Sequence, residues 1–227
     1  MKINLRSVIG AVSAVTAMMS ITAPAHAWTY TATGQWASFN FGNWTVYQNE
    51  WGSSVPATLY ANSASDWATA ANWTGDGTKG YAHVQLNPNL NYSIWNHWAS
   101  TGWNSLSNPG GTQHCNWFFD VWTYADELMI IEWSNNSGTW GTQIASNVTI
   151  NGRFYSSVWQ AYAGHNVILF APGSNRTGGS ENLMPYLQWT SNQGKLWNGT
   201  LTGWDFGVEE TNGNGQWTCN GFWGAWG

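Results

Sequence analysis

The chain has 227 residues, a formal net charge of −5 and only 7% charged residues. Two of its six basic residues, Lys2 and Arg6, sit at the extreme N-terminus, so the remainder is more acidic still. That balance excludes a nucleic-acid binder, whose phosphate contacts demand a basic surface, and it disfavours anionic membranes.

The first 27 residues read as a secretory signal peptide. Lys2 and Arg6 precede an apolar stretch over residues 8–21, and Ala25-His26-Ala27 fits an A-x-A cleavage site. The apolar run is too short to span a bilayer. The expectation is an exported, soluble, monomeric chain beginning near Trp28, with residues 28–227 forming one domain with a sizeable core.

After Trp28, short runs of Trp, Tyr, Val, Ile and Thr alternate with Gly, Asn, Ser and Pro, the pattern of an all-β sandwich, jelly roll or barrel. The pattern predicts strands at 45–48, 82–86, 117–123, 127–133, 143–150, 156–162, 166–171 and 202–209. Turns fall at 75–77, 108–111, 136–138, 151–152 and 212–215, with Asn151-Gly152 the strongest hairpin signal. Residues 180–189 have apolar positions at helical offsets and predict one short helix, with Ser180 as N-cap and Pro185 disturbing its regularity.

Tryptophan occurs 20 times, all of it after residue 27. Each indole alone is best explained by packing. Together, in a chain rich in Asn, Gln, Ser and Thr, they suggest a carbohydrate cleft, because aromatic faces stack on the C–H faces of pyranose rings. Within this charge-poor setting Glu127 stands out, embedded in Asp126-Glu127-Leu128-Met129-Ile130-Ile131-Glu132-Trp133. Strand alternation places Glu127, Met129, Ile131 and Trp133 on one face. A second acidic strand is Trp204-Asp205-Phe206-Gly207-Val208-Glu209-Glu210, where alternation separates Asp205 and Glu209 from Glu210. Two strand-borne carboxylates suit glycosidic bond cleavage, which needs one acid and one nucleophile or base.

These segments resemble glycoside hydrolase family 12. Tyr124-Ala125-Asp126-Glu127-Leu128-Met129-Ile130 is similar to its Y-E-[LIV]-M-I-W strand. Trp36-Ala37-Ser38-Phe39 and Trp44 through Gly52 resemble its N-terminal W-A-T-F and Y-T-V-x-N-N-L-W-G segments. Asn116 through Val121 resembles N-x-x-x-D-[LIV], residues 167–171 the strand before the family's helix, and Phe206-Gly207-Val208-Glu209 its closing G-[FT]-E. The resemblance implies a β-jelly roll of two antiparallel sheets with a concave cleft, and endo-hydrolysis of a β-1,4-glucan with retention. It implies Glu127 as nucleophile, Glu209 as acid/base and Asp120 beside the nucleophile. Trp36, Asn49, Trp51, Asn116 and Met129 match positions around the substrate.

Four features depart from the family: Ile131 replaces its Trp, Glu209 is followed by a second acid, Glu210, the P-I-G loop is replaced by Gly141-Thr142-Gln143-Ile144, and the link from Asp120 to Glu127 is short. The assignment of the acid/base between Glu209 and Glu210 stays open, as does the preference among cellulose, xyloglucan and xylan. A glucan-binding protein without turnover is the rival of another class. Cys115 and Cys219 are expected to form a disulfide in an oxidising compartment. His83, His97, His114 and His165 are scattered, so no metal site and no cofactor are expected.

Overall fold

Side-chain alternation along one long strand organises the molecule. The computed structural model describes residues 27–75, 77–109, 114–135 and 139–227. The expected leader up to residue 26, the expected turn at 136–138 and parts of two others, at 76 and 110–111, lie outside the described residues. In chain order the first strands are β1 (Tyr30–Thr33), β2 (Ser38–Phe41), β3 (Trp44–Tyr47), β4 (Thr58–Ser63), β5 (Asp66–Trp73) and β6 (Gly80–Leu86). Next come β7 (Tyr92–Ser93), β8 (Ala99–Trp103), β9 (Ser105–Ser107), β10 (His114–Thr123), β11 (Asp126–Ser134) and β12 (Thr142–Ile150). The chain ends with β13 (Arg153–Tyr162), β14 (Asn166–Pro172), β15 (Gly179–Asn182), helix α1 (Met184–Asn192), β16 (Thr200–Asn220) and β17 (Trp223–Trp226).

β16 runs through both main layers. Its first half pairs with β6 and β10, and its second half with β5 and β9. The larger layer has the order β2-β3-β6-β16-β10-β11-β14-β13-β12, and the other runs β1-β4-β5-β16. Leu59, Trp67 and Trp217 of one layer meet Val84, Phe119, Phe206 and Val208 of the other in a single buried core. This is the expected all-β sandwich with its one short helix.

Several details differ from the sequence expectation. β11 and β14 pair in parallel, because the β12–β13 hairpin folds outside β14 and leaves it beside β11. A third sheet, β15-β8-β17, stands apart from the two main layers and packs Ala99 and Trp103 into their core. Ser180 lies in β15 and caps nothing. The helix starts at Met184 with proline in its first turn, where the missing N–H has no partner to lose. Cys115 and Cys219 are both buried free thiols, so the expected bridge is not formed. Cys115 faces Glu210 across β10 and β16, whereas Cys219 lies further along β16 opposite Trp67. Part of the tryptophan excess is structural: Trp67, Trp103, Trp117, Trp204 and Trp217 are fully buried.

Two sequence features fix the open face of the larger layer. At Gly207, a Cβ would lie 2.3 Å from the Ala82 carbonyl oxygen and 2.4 Å from His83 Cβ. With no side chain there, Phe118 of β10 and Tyr81 of β6 stack across β16 at 4.8 Å and 6°. Asp126 anchors the start of β11. Its carboxylate accepts hydrogen bonds from Thr123 Oγ1, Asn166 Nδ2 and the Trp197 and Asn198 amides, each at 2.7–2.8 Å.

Gly207→Ala should destabilise the fold by about 1–3 kcal/mol, the usual range for overpacking, read by urea unfolding. An unchanged midpoint would mean that β6 and β16 part without strain.

On the core side, Glu210 is fully buried and neither carboxyl oxygen has a hydrogen-bond partner. Burial, reinforced by nearby Glu50, holds its pKa well above the ordinary range. A raised carboxyl favours the folded state most below its unfolded pKa of about 4.3, and that contribution is lost as pH rises through the folded value. Glu210→Gln should therefore make the stability loss between acidic and alkaline pH smaller by at least about 1 kcal/mol. Parallel stability–pH curves for the two proteins would refute this.

Candidate active site

Four carboxyls converge on the open face, carried by three adjacent strands. On β16, Asp205, Gly207 and Glu209 alternate outward, while Trp204, Phe206, Val208 and Glu210 enter the core. On β10 the outward series is Asn116, Phe118, Asp120 and Trp122. In register, Asp120 faces Asp205 on one side and Met129 on the other, Trp122 faces Glu127, and Asn116 faces Glu209. The structure thus separates the adjacent acids: Glu209 reaches the cleft and Glu210 does not.

Each acid has a distinct environment. Glu127 is 14% exposed, and its Oε2 lies 2.5 Å from His165 Nε2, whose ring packs 5.3 Å from Trp122. Asp120 is hydrogen-bonded to Glu127, and burial, then the charges of Glu127 and Asp205, push its pKa well up. Asp205 accepts a hydrogen bond from Tyr81 Oη at 2.5 Å, and burial raises its pKa to about 8. Glu209 accepts bonds from Thr78 Oγ1 at 3.2 Å and Asn116 Nδ2 at 3.4 Å. Burial raises its pKa, these two bonds lower it, and the charge of Glu127 adds to the rise. In mildly acidic solution Asp120 and Asp205 hold protons, which lets three further carboxyls stand near Glu127 without mutual repulsion.

The surrounding residues are arranged along the same face. A cavity of about 430 Å³ is lined by Trp36, Tyr47, Asn49, Tyr81, His83 and Gln85, together with Asp120, Trp122 and Asp205. A second hollow shares Gln85 and Trp122 and extends toward Asn87 and Thr202. The stack Tyr47–His83–Tyr81–Phe118 forms the floor. His83 Nδ1 lies 2.8 Å from the Tyr81 carbonyl, and burial lowers the ring's pKa to about 4, so it is neutral there.

Among the residues singled out from sequence, Glu127, Asp120, Glu209, Asn116, Trp36 and Asn49 gather on this face. Met129 lies on the same face, largely buried in its floor with Tyr81 and Phe118. Trp51 is exposed but does not line the cavity. Trp133 does not share the Glu127 face, because a β-bulge at Glu132 reverses the alternation and turns Trp133 toward Trp117 and the core. The displaced Glu132 is buried, paired to Arg176 at 2.6 Å and Arg153 at 3.5 Å. Sequence reasoning passed over Asp205, Tyr81, His165 and Trp122. Alternation already put Asp205 beside Glu209, and Tyr81-x-His83-x-Gln85 has the same spacing. Nothing local in the sequence marks His165. Among the described residues no cluster of His, Cys, Asp and Glu has metal-binding geometry, and no helix is long and apolar enough to cross a membrane.

No family model and no curated protein matches the chain. Solved structures do. The xyloglucanase domain of NopAA, a type three effector from Sinorhizobium fredii in complex with cellobiose, superposes with a TM-score of 0.79 at 19% identity, over 88% of this chain and 99% of that one. Endoglucanase 3 of Trichoderma harzianum, from family 12, gives 0.77 at 22% identity over 87% and 97%. A family 12 xyloglucanase from Bacillus licheniformis gives 0.74 at 19% identity over 87% and 100%. The chain has the β-jelly-roll fold of the family 12 glycoside hydrolases.

Proposed function

We propose that this chain is a secreted family 12 glycoside hydrolase, an endo-β-1,4-glucanase that acts with retention and needs no cofactor. The observation that carries this reading is the placement of Glu127 and Glu209 on one open aromatic-lined face, each held by its own set of partners. Glu127 is held by a histidine and a carboxyl, as suits a nucleophile kept in place. Glu209 is a half-buried acid with a raised pKa, as suits a proton donor.

In the first step a Glu127 oxygen attacks the anomeric carbon as the glycosidic C–O bond breaks. Glu209 gives its proton to the departing oxygen. In the second step Glu209 takes a proton from water, whose oxygen displaces Glu127 from the sugar. Asp120 and His165 position the nucleophile, and Asn116 and Thr78 orient the acid. Trp36 and Trp122 offer faces for sugar rings, with Asn49 and Gln85 bonding hydroxyls. A xyloglucan backbone is the second reading, since two of the similar structures are named xyloglucanases.

Reducing-end release should be measured on carboxymethylcellulose, mixed-linkage β-glucan, xyloglucan and xylan. Glu127→Gln and Glu209→Gln should each lower kcat by at least about a hundredfold, while Glu210→Gln stays near the parent. Activity should fall on the alkaline side as Glu209 loses its proton. The first-formed anomer, read by proton NMR, should keep the substrate's configuration; inversion would sink the double displacement. Turnover that survives Glu209→Gln but not Asp205→Asn would transfer the acid role to Asp205.

With Glu209 as the acid, Asp205 acts by accepting the Tyr81 bond. Asp205→Asn, which can still accept it, should retain most activity at pH 5. Asp205→Ala should lose about tenfold, the effect of one hydrogen bond. Equal losses in the two variants would show that charge, not the bond, is what matters.

A further inference from the structure

The third sheet carries a second aromatic surface, built differently from the groove. Trp98, just before β8, exchanges backbone hydrogen bonds with Gly227, at 2.8 and 3.1 Å. Trp223 of β17 is in register with Gly102 of β8. Each tryptophan lies over the other strand's glycine. A Cβ on Gly102 would be 2.8 Å from Trp223 Nε1 and 2.9 Å from its Cε2. A Cβ on Gly227 would be 2.8 Å from Trp98 Nε1 and 3.1 Å from its Cε2. Both indoles are thus laid against the sheet and pinned there by the absence of a side chain beneath. Even so, they are 49% and 45% exposed.

The two rings are four positions apart along the strand, about 13 Å, which a few linked sugars can span. Ser100 and Ala225 lie between them, and exposed Ser180 and Asn182 continue the same face on β15. None of these positions carries an acidic or basic side chain. The inner face is different: Thr101 and Glu181 are buried, and Trp226 packs on Trp44 and Trp204. Core packing therefore accounts for the inward tryptophan but not for the two outward ones.

We infer that Trp98 and Trp223 form a second polysaccharide-binding platform outside the groove, for a neutral β-linked glucan chain. Flat indoles meet the C–H faces of pyranose rings, and the hydroxyl and amide groups around them bond the sugar hydroxyls. The chemistry selects this occupant. An anionic surface would meet no cation here, and a protein or lipid surface would find Ser, Gly, Ala and Asn around the rings instead of an aliphatic patch. The inference rests on the proposed glucan function for the identity of the polymer. The platform would hold the enzyme on insoluble substrate while the groove works.

The test uses the full chain in a Glu127→Gln background, so that nothing is cleaved during binding. Depletion onto insoluble cellulose is measured for the parent, for Trp98→Ala/Trp223→Ala, and for Ser100→Asp. The last places a charge between the rings without touching either, and guards against misfolding of the double variant. Each change should weaken retention about tenfold, the equivalent of one lost stacking contact. Trp98→Tyr/Trp223→Tyr should restore most of it. Hydrolysis of soluble cellotetraose, with Glu127 intact, reads the groove separately. Undiminished retention with normal cellotetraose turnover overturns the platform and leaves the proposed function standing. Weakened retention in a parent that cannot turn over cellotetraose supports the platform and removes the enzyme. Co-sedimentation with neutral lipid vesicles, or a dimer, that disappears with the same substitutions overturns the glucan assignment.

Discussion

The period of two along β16 is the constraint from which the rest follows. In five consecutive residues it sends Asp205, Gly207 and Glu209 to the open face and Phe206 and Val208 into the core. The same strand then continues into the second layer, where Trp217 and Cys219 are buried. A one-residue slip would place two carboxylates among Phe119, Val84 and Trp117, and would expose the aromatic core. The position of the acids is thus held by the hydrophobic effect acting on their neighbours, in addition to any contact of their own. Gly207 contributes through an absence, since the Tyr81–Phe118 stack that floors the site crosses the strand where no side chain intervenes.

Electrostatics work unusually strongly in a chain with so few charges. Arg153 and Arg176 are committed behind β11 to Glu132, and Arg176 also to Glu181. The cleft carboxyls take their hydrogen bonds instead from Tyr81, His165, Asn116 and Thr78. Burial then dominates, and it raises the pKa of Asp120, Asp205 and Glu209. Glu132, with two arginines, still has its pKa raised to about 8, because its burial outweighs them.

Much of this was legible in the sequence, and the gaps have physical causes. Strands with strong β-branched or aromatic content, such as β10, β11 and β14, could be read because burial on both faces leaves an apolar run. Those of the outer layer and the third sheet were missed: β4 and β5 are Ala-, Ser- and Asn-rich, and β8 contains a glycine that serves a tryptophan. The acids on β11 and β16 were found because a charge in an apolar run is conspicuous. Trp133 was misplaced because a bulge changes the period, and no residue announces one. The disulfide expectation followed from compartment alone, which says nothing about whether two sulfurs meet. The tryptophan count pointed toward sugar only in part: six indoles are buried in the core, while seven are exposed to solvent.

The place of β16 in the order of the chain also bears on how the protein matures. It is the last strand to join either main layer, yet it pairs with residues as far back as Asp66, which faces Asn220. Until it is present, β6 and β10 have no common neighbour, and β5 lacks one of its partners. β10, β11, β14, β13 and β12 can pair without it, but the loop closures that complete both sheets come late and slowly. Such a chain stays unfolded for as long as it is held extended. A protein meant to pass through a narrow pore before folding would gain from having its central strand arrive last.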